Sequence, residues 1–212
     1  VMKATIAGLN GSPIPVKLIV CALRHEDEVM ANKLADLGIK YKRYVGAFDL
    51  AASETMFPGV LPWWVAVAER VKAAGIALTI HLWETQEPTD EDIRLLDRLG
   101  VERVGHAVWG NLQGTRVLEC CPTSNVVTGQ YSSINEHPID RLKREGKRVT
   151  VNTDGTLFTQ TTLSNEYRRL AEVFDWTMAD FLAVNLTALE ASTFCPTVKK
   201  MLRQKLVRFY RG

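Results

Sequence analysis

The 212-residue sequence lacks the marks of several protein classes. It has no run of the roughly 18 apolar residues that a membrane-spanning helix needs. It shows no basic start followed by an apolar core, so no secretion signal is visible. Its four cysteines, Cys21, Cys120, Cys121 and Cys195, form no CxxC pair, and two of them are adjacent. That usage argues against a disulfide scaffold and a thiolate zinc cluster, and it points to a reducing, cytoplasmic setting. An excess of one charge is missing too. The 26 Lys and Arg face 24 Asp and Glu, a formal net charge of +2. So even a balance gives no reason to expect nucleic acid or a membrane surface as partner. What is present is ordinary for a globular protein, with 46% hydrophobic and 24% charged residues. The chain is long enough to bury a sizeable core.

Strand-like and helix-like segments alternate. Apolar or β-branched runs predict strands over Val16–Leu23, Tyr44–Leu50, Ala77–His81, Arg103–Val108, Arg116–Cys121 and Arg148–Asn152. Helices are expected over His25–Leu37 with Gly38 as the stop, and from Pro62 to Gly75. A third helix is expected from the Thr89 cap, with Asp92 three residues on, to Gly100. Others cover Pro138–Glu145, Thr161–Phe174, Thr177–Ser192 and Pro196–Tyr210. Six such units predict a parallel α/β sheet with crossover helices, two strands short of a closed eight-stranded barrel. One connection is too short for a helical crossover, the seven residues from Trp109 to Thr115.

Residues of catalytic type gather where strands end. Asp49 closes one strand with Glu54 beyond it, His81 closes the next with Glu84 three residues on, His106 closes another, and Asp154 follows the last. In parallel α/β folds that end of the sheet carries the active site. Taken singly, each is more readily a solvated rim residue or a satisfied core histidine. As a set, histidine and carboxylate on one rim suit a divalent metal and metal-assisted hydrolysis. The residues alone do not name a substrate.

The segments Asp49-Leu50-Ala51-Ala52-Ser53-Glu54, His81-Leu82-Trp83-Glu84, Gly105-His106-Ala107, Glu119 to Asn125, His137-Pro138-Ile139 and Asn152-Thr153-Asp154 resemble successive landmarks of the adenosine deaminase family. Thr161 to Tyr167 and the helices after it resemble that family's C-terminal region. The HxE and PCxxC pattern of cytidine-type deaminases is absent. The resemblance implies a (β/α)8 amidohydrolase barrel, here a single domain over residues 1–212 with about six of eight strands and C-terminal helices. It also implies a zinc-dependent aminohydrolase acting on a nucleoside or related aminated ring. His81 and Asp154 would be metal ligands. Glu84 would be protonated and pass its proton to ring nitrogen N1. His106 would orient the attacking water and stabilise developing charge, with Asp154 also touching that water.

The sequence departs from the family pattern in informative places. There is no HxH pair to supply two further zinc ligands, and the first two strands are not evident. Val1 opens the sequence in place of Met, so the expectation is a chain cut short, or one completed by another segment or polypeptide. Trp83 stands where the family has glycine, Gly155 where it has a second aspartate, and Ala52 where it has a glycine that meets the ring. These three would contact substrate, and their change implies a modified or unusual aminopurine. A non-catalytic relative and a different metal-dependent hydrolase on the same barrel are the competing readings.

The remaining candidates read as structural. Trp63, Trp64, Trp109 and Trp176 are expected to pack, as are Cys120 and Cys121. His25 is expected near the mouth without a direct role, and His137 as a capping or surface residue. The basic end around Arg203, Lys205, Arg208 and Arg211 reads as a solvated helix face.

Overall fold

The computed structural model describes residues 1–109 and 115–211. Six strands pair in chain order, every neighbouring pair parallel. They are β1 (Leu18–Leu23), β2 (Val45–Ala51), β3 (Ala77–Leu82), β4 (Arg103–His106), β5 (Val117–Cys120) and β6 (Arg148–Val151). This is the six-stranded α/β sheet that the alternation predicts. All but the last residue of β2 is buried, because helices cover one face and the facing strands the other. The end strand β1 is only half-buried.

Helices alternate with the strands. They are α1 (Met2–Leu9), α2 (Glu28–Lys40), α3 (Pro62–Ala73), α4 (Asp90–Leu99), α5 (Pro122–Val127), α6 (Ile139–Arg144), α7 (Thr156–Thr159), α8 (Leu163–Phe174), α9 (Met178–Ala191) and α10 (Pro196–Arg211). The Thr89 cap is as expected: its hydroxyl oxygen accepts from Asp92 N, and Gly100 closes α4 in the left-handed conformation. Asp92 does more than that pattern requires. It is buried, and its Oδ1 also accepts from Val60 N at 2.9 Å, tying α4 to the segment before α3.

Gly38 does not stop α2, which runs on to Lys40. Ala31, Ala35 and Gly38 form its buried stripe, so the glycine serves close packing on β1, with Val20 its nearest neighbour. The short helices α5 and α7, and α1 at the start, carry no pattern that the sequence reading recognises. The short connection between β4 and β5 falls largely on residues 110–114, outside the described residues.

The packing expectations hold for Trp64 and Trp176, which are buried, and for Trp63, which is partly buried against the core. Trp109 differs. It is 37% exposed and stacks on Tyr131, with ring centroids 6.5 Å apart. Cys120 and Cys121 are buried, and burial pushes the Cys120 thiol up to about 12, consistent with inert packing groups. No helix among the described residues is long and apolar enough to cross a membrane.

Candidate active site

Backbone strain marks the rim. Among the described residues, seven that are not glycine have positive φ, and five of them are Ala52, Trp83, His106, Ala107 and Asp154. All five sit at or just past the C-terminal ends of β2, β3, β4 and β6. Side chains rarely adopt this conformation without a local demand, and such residues gather at functional sites.

His81 lies in β3 with its ring toward this rim. Its Nδ1 is 2.7 Å from Oδ2 of Asp49, whose side chain is almost wholly buried in β2. Burial works to lower the His81 pKa, but Asp49, Asp154 and Glu119 outweigh it and hold the imidazole up to about 9. Gly105 pairs with His81 across β3 and β4. A Cβ there would come within 3.1 Å of the His81 ring, so any larger residue would push the ring aside by a few tenths of an ångström. Below the rim, Arg103 Nε meets Glu119 Oε1 at 2.9 Å.

Glu84 is set by Glu54. The buried Glu54 carboxylate accepts from the backbone N–H groups of Trp83, Glu84 and Thr85 at 2.7, 2.9 and 3.1 Å. This fixes the turn after β3 and hence where Glu84 points. Burial, followed by the nearby Asp154 charge, raises the Glu84 pKa above the usual carboxylate value. Its Oε2 lies 3.6 Å from His106 Nε2, and its Oε1 accepts from Asn125 Nδ2 at 3.1 Å. His106 is almost wholly buried, and desolvation together with the His81 charge lowers its pKa to about 4. The two histidine rings meet edge-on, centroids 5.4 Å apart. Asp154 is exposed and accepts from Ser124 Oγ at 2.6 Å.

His81, Glu84, His106 and Asp154 therefore converge as the sequence expects, from three strand ends, those of β3, β4 and β6. Ala52 and Gly155 are exposed at the same rim, Gly155 capping α7. Trp83 is fully buried within the hydrophobic core, and its indole N–H finds no hydrogen-bond partner.

Four positioning residues escape the sequence reading. Asp49 and Glu54 count there only as rim carboxylates, with no hint of their partners. Arg24 is buried and bonds the carbonyls of Phe57, Gly59 and His81, while its neighbour His25 is exposed. Asn125 is fully buried and joins Glu84 to His106. His137 is not a surface residue: it is buried against Asn125, although its Nδ1 does accept from Ile139 N at the start of α6.

Among the described residues no group of three His, Cys, Asp or Glu is arranged to hold a metal ion. His81 keeps Nε2 available because Asp49 takes Nδ1, a usual preparation for ligation. With Asp154 that makes two donors, fewer than the three protein ligands a catalytic zinc keeps. The described residues do not by themselves fit a complete zinc site.

The family model for adenosine deaminase matches residues 1–209. An adenosine deaminase from Lacticaseibacillus paracasei is 32% identical over 225 residues, covering 98% of this chain and 64% of the relative. The chain thus spans less than two thirds of that relative's length. Among solved structures, an adenine deaminase from Arthrobacter aurescens superposes with a TM-score of 0.87 at 19% identity, covering all of this chain and 66% of that one. An amidohydrolase from Burkholderia ambifaria with bound Zn superposes at 0.85 with 18% identity, covering 99% of this chain and 62% of that one. At such identities these two likenesses speak for the fold alone, an incomplete barrel of the deaminase kind.

Proposed function

The chain belongs to the adenosine deaminase family, and from that premise we propose that it carries the proton-transfer machinery of a hydrolytic aminopurine deaminase. One observation supports this most directly. Glu84 has a raised pKa and sits beside His106 on a rim shared with His81 and Asp154. A carboxyl group whose burial favours its protonated form suits protonation of a ring nitrogen.

In this reading Glu84 gives its proton to purine N1, which makes C6 electrophilic. Water adds at C6 and loses one proton to Asp154. That proton passes to the exocyclic nitrogen, the C6–N bond breaks, and ammonia leaves. The hydroxyl proton left on C6 returns to Glu84, and the carbonyl forms. His106 presents a ring nitrogen to the same space and stabilises charge developing on the added oxygen. Zinc, when supplied, would take His81 and Asp154 as donors from this chain, with further donors from another segment or polypeptide. The named relatives act on adenosine and on adenine, so the shared chemical feature is the 6-aminopurine ring. Ala52 and Gly155, both exposed at the rim, would set which substituted ring is taken.

The test is ammonia release from a panel of 6-aminopurines (free base, nucleoside, nucleotide and N6-methylated forms) with zinc supplied. Turnover of at least one is expected, and a substituted ring should surpass adenosine. No release from any of them would overturn the proposal. A non-catalytic, ring-binding role is the second reading, and the two-donor count speaks for it. Purine binding without zinc uptake or turnover would establish it.

A further inference from the structure

A chain of buried hydrogen bonds runs from the start of α6 to the candidate site. Its first link has only one possible polarity. The backbone N–H of Ile139 donates to His137 Nδ1 at 3.2 Å. A backbone N–H cannot accept, so Nδ1 of His137 carries no proton. The proton of a neutral His137 must then be on Nε2, which lies 3.2 Å from Asn125 Oδ1 and donates to it. This orients the Asn125 amide, with oxygen toward His137 and nitrogen away. The two N–H bonds of Asn125 Nδ2 are met by two acceptors, Glu84 Oε1 at 3.1 Å and His106 Nδ1 at 3.3 Å. Nδ1 of His106 is therefore also bare, and its proton is on Nε2, the nitrogen 3.6 Å from Glu84 Oε2.

We propose that His137 and Asn125 are positioning residues that lock His106 in the Nε2–H tautomer. Asn125 and His137 are both buried, so water does not compete for these links. Burial also lowers the pKa of His137 to about 3, which keeps its ring neutral and its tautomer defined near pH 7. The consequence is a division of labour. His106 offers the site an N–H donor in place of a basic lone pair, and Glu84 Oε1 is held as an acceptor while Oε2 faces the ring. What this does for turnover rests on the deaminase reading; the tautomer itself does not.

The experiment is long-range 1H–15N correlation on metal-free, 15N-histidine-labelled protein near pH 7, where each ring nitrogen reports whether it is protonated. Only four histidines contribute, and His106→Gln and His137→Gln spectra assign the two of interest. Both His106 and His137 are expected in the Nε2–H form. Asn125→Asp offers oxygens on both sides, so His106 is expected to gain a proton on Nδ1 while His137 keeps its Nε2–H. A wild-type His106 protonated on Nδ1 would overturn the proposal, and so would a folded Asn125→Asp variant whose His106 tautomer is unchanged. The wild-type spectrum decides even if that variant does not fold. Neither outcome depends on turnover, so a failed tautomer assignment and a failed deaminase assignment are separable.

Discussion

Asp49 Oδ2 lies 2.7 Å from His81 Nδ1, a carboxylate in one strand held against an imidazole in the next. The His81 pKa is consequently raised from 6.5 to about 9, against the pull of burial. A group raised on folding stabilises fully below its unfolded pKa and loses that contribution as pH rises through the folded one. In the presence of a chelator, this pair's contribution to stability is expected to decline from pH 6.5 to 9. Asp49→Asn should flatten that part of the profile. Thermal melts of both proteins across that window check it.

His137 acts with the opposite sign. Burial and the nearby His106 charge lower its pKa from 6.5 to about 3. The unfolded chain then binds the proton more readily, so stability is lost as pH falls from 6.5 toward 3, with His106 adding to the slope. The His137 share is on the order of 4 kcal/mol over that range. Urea melts between pH 7 and 4 should show a steep loss in the wild type and a shallower one in His137→Gln.

Glu54 governs Glu84 through three backbone N–H groups. Glu54→Gln leaves one acceptor oxygen and turns an amide donor toward those N–H groups. A loss of about 2–4 kcal/mol is expected, from weakened charged hydrogen bonds and buried donors left unpaired. Turnover should fall as well, because the loop bearing Glu84 loosens. Urea midpoints and kcat measured on the same sample check both.

Trp83 sets two effects against each other. Its φ of +60° is costly for a side chain, and glycine there would relieve about 1–2 kcal/mol. Removing a fully buried indole costs about 3–5 kcal/mol. The cavity wins, so Trp83→Gly is expected to lower stability by about 1–4 kcal/mol. Urea midpoints of both proteins check it.

Much of the fold is legible in the sequence for a simple reason. Parallel strands covered on both faces, such as β2, read as mainly apolar runs, and polar residues gather near their C-terminal ends. His81, His106 and Asp154 are found by that rule, and Glu84 lies just past it. The rest depends on contacts between distant positions. Gly38 looks like a helix stop until β1 is seen packed against it. Arg24 and His25 are neighbours, yet the pleat and turn bury the arginine and expose the histidine, which no local pattern announces. Asn125 meets Glu84, 41 positions away, and Glu54 holds a loop that starts 29 positions on. Such pairings exist only once the strands lie side by side.

The deaminase assignment is tested most directly by incubating the chain, zinc and a 6-aminopurine nucleoside in 18O-labelled water and weighing the ring product. Hydrolytic deamination requires one labelled oxygen at C6 for each ammonia released, with Glu84→Gln slower by about 10²–10⁴-fold. A ring recovered with its amine intact and no label, at zinc saturation, would contradict it.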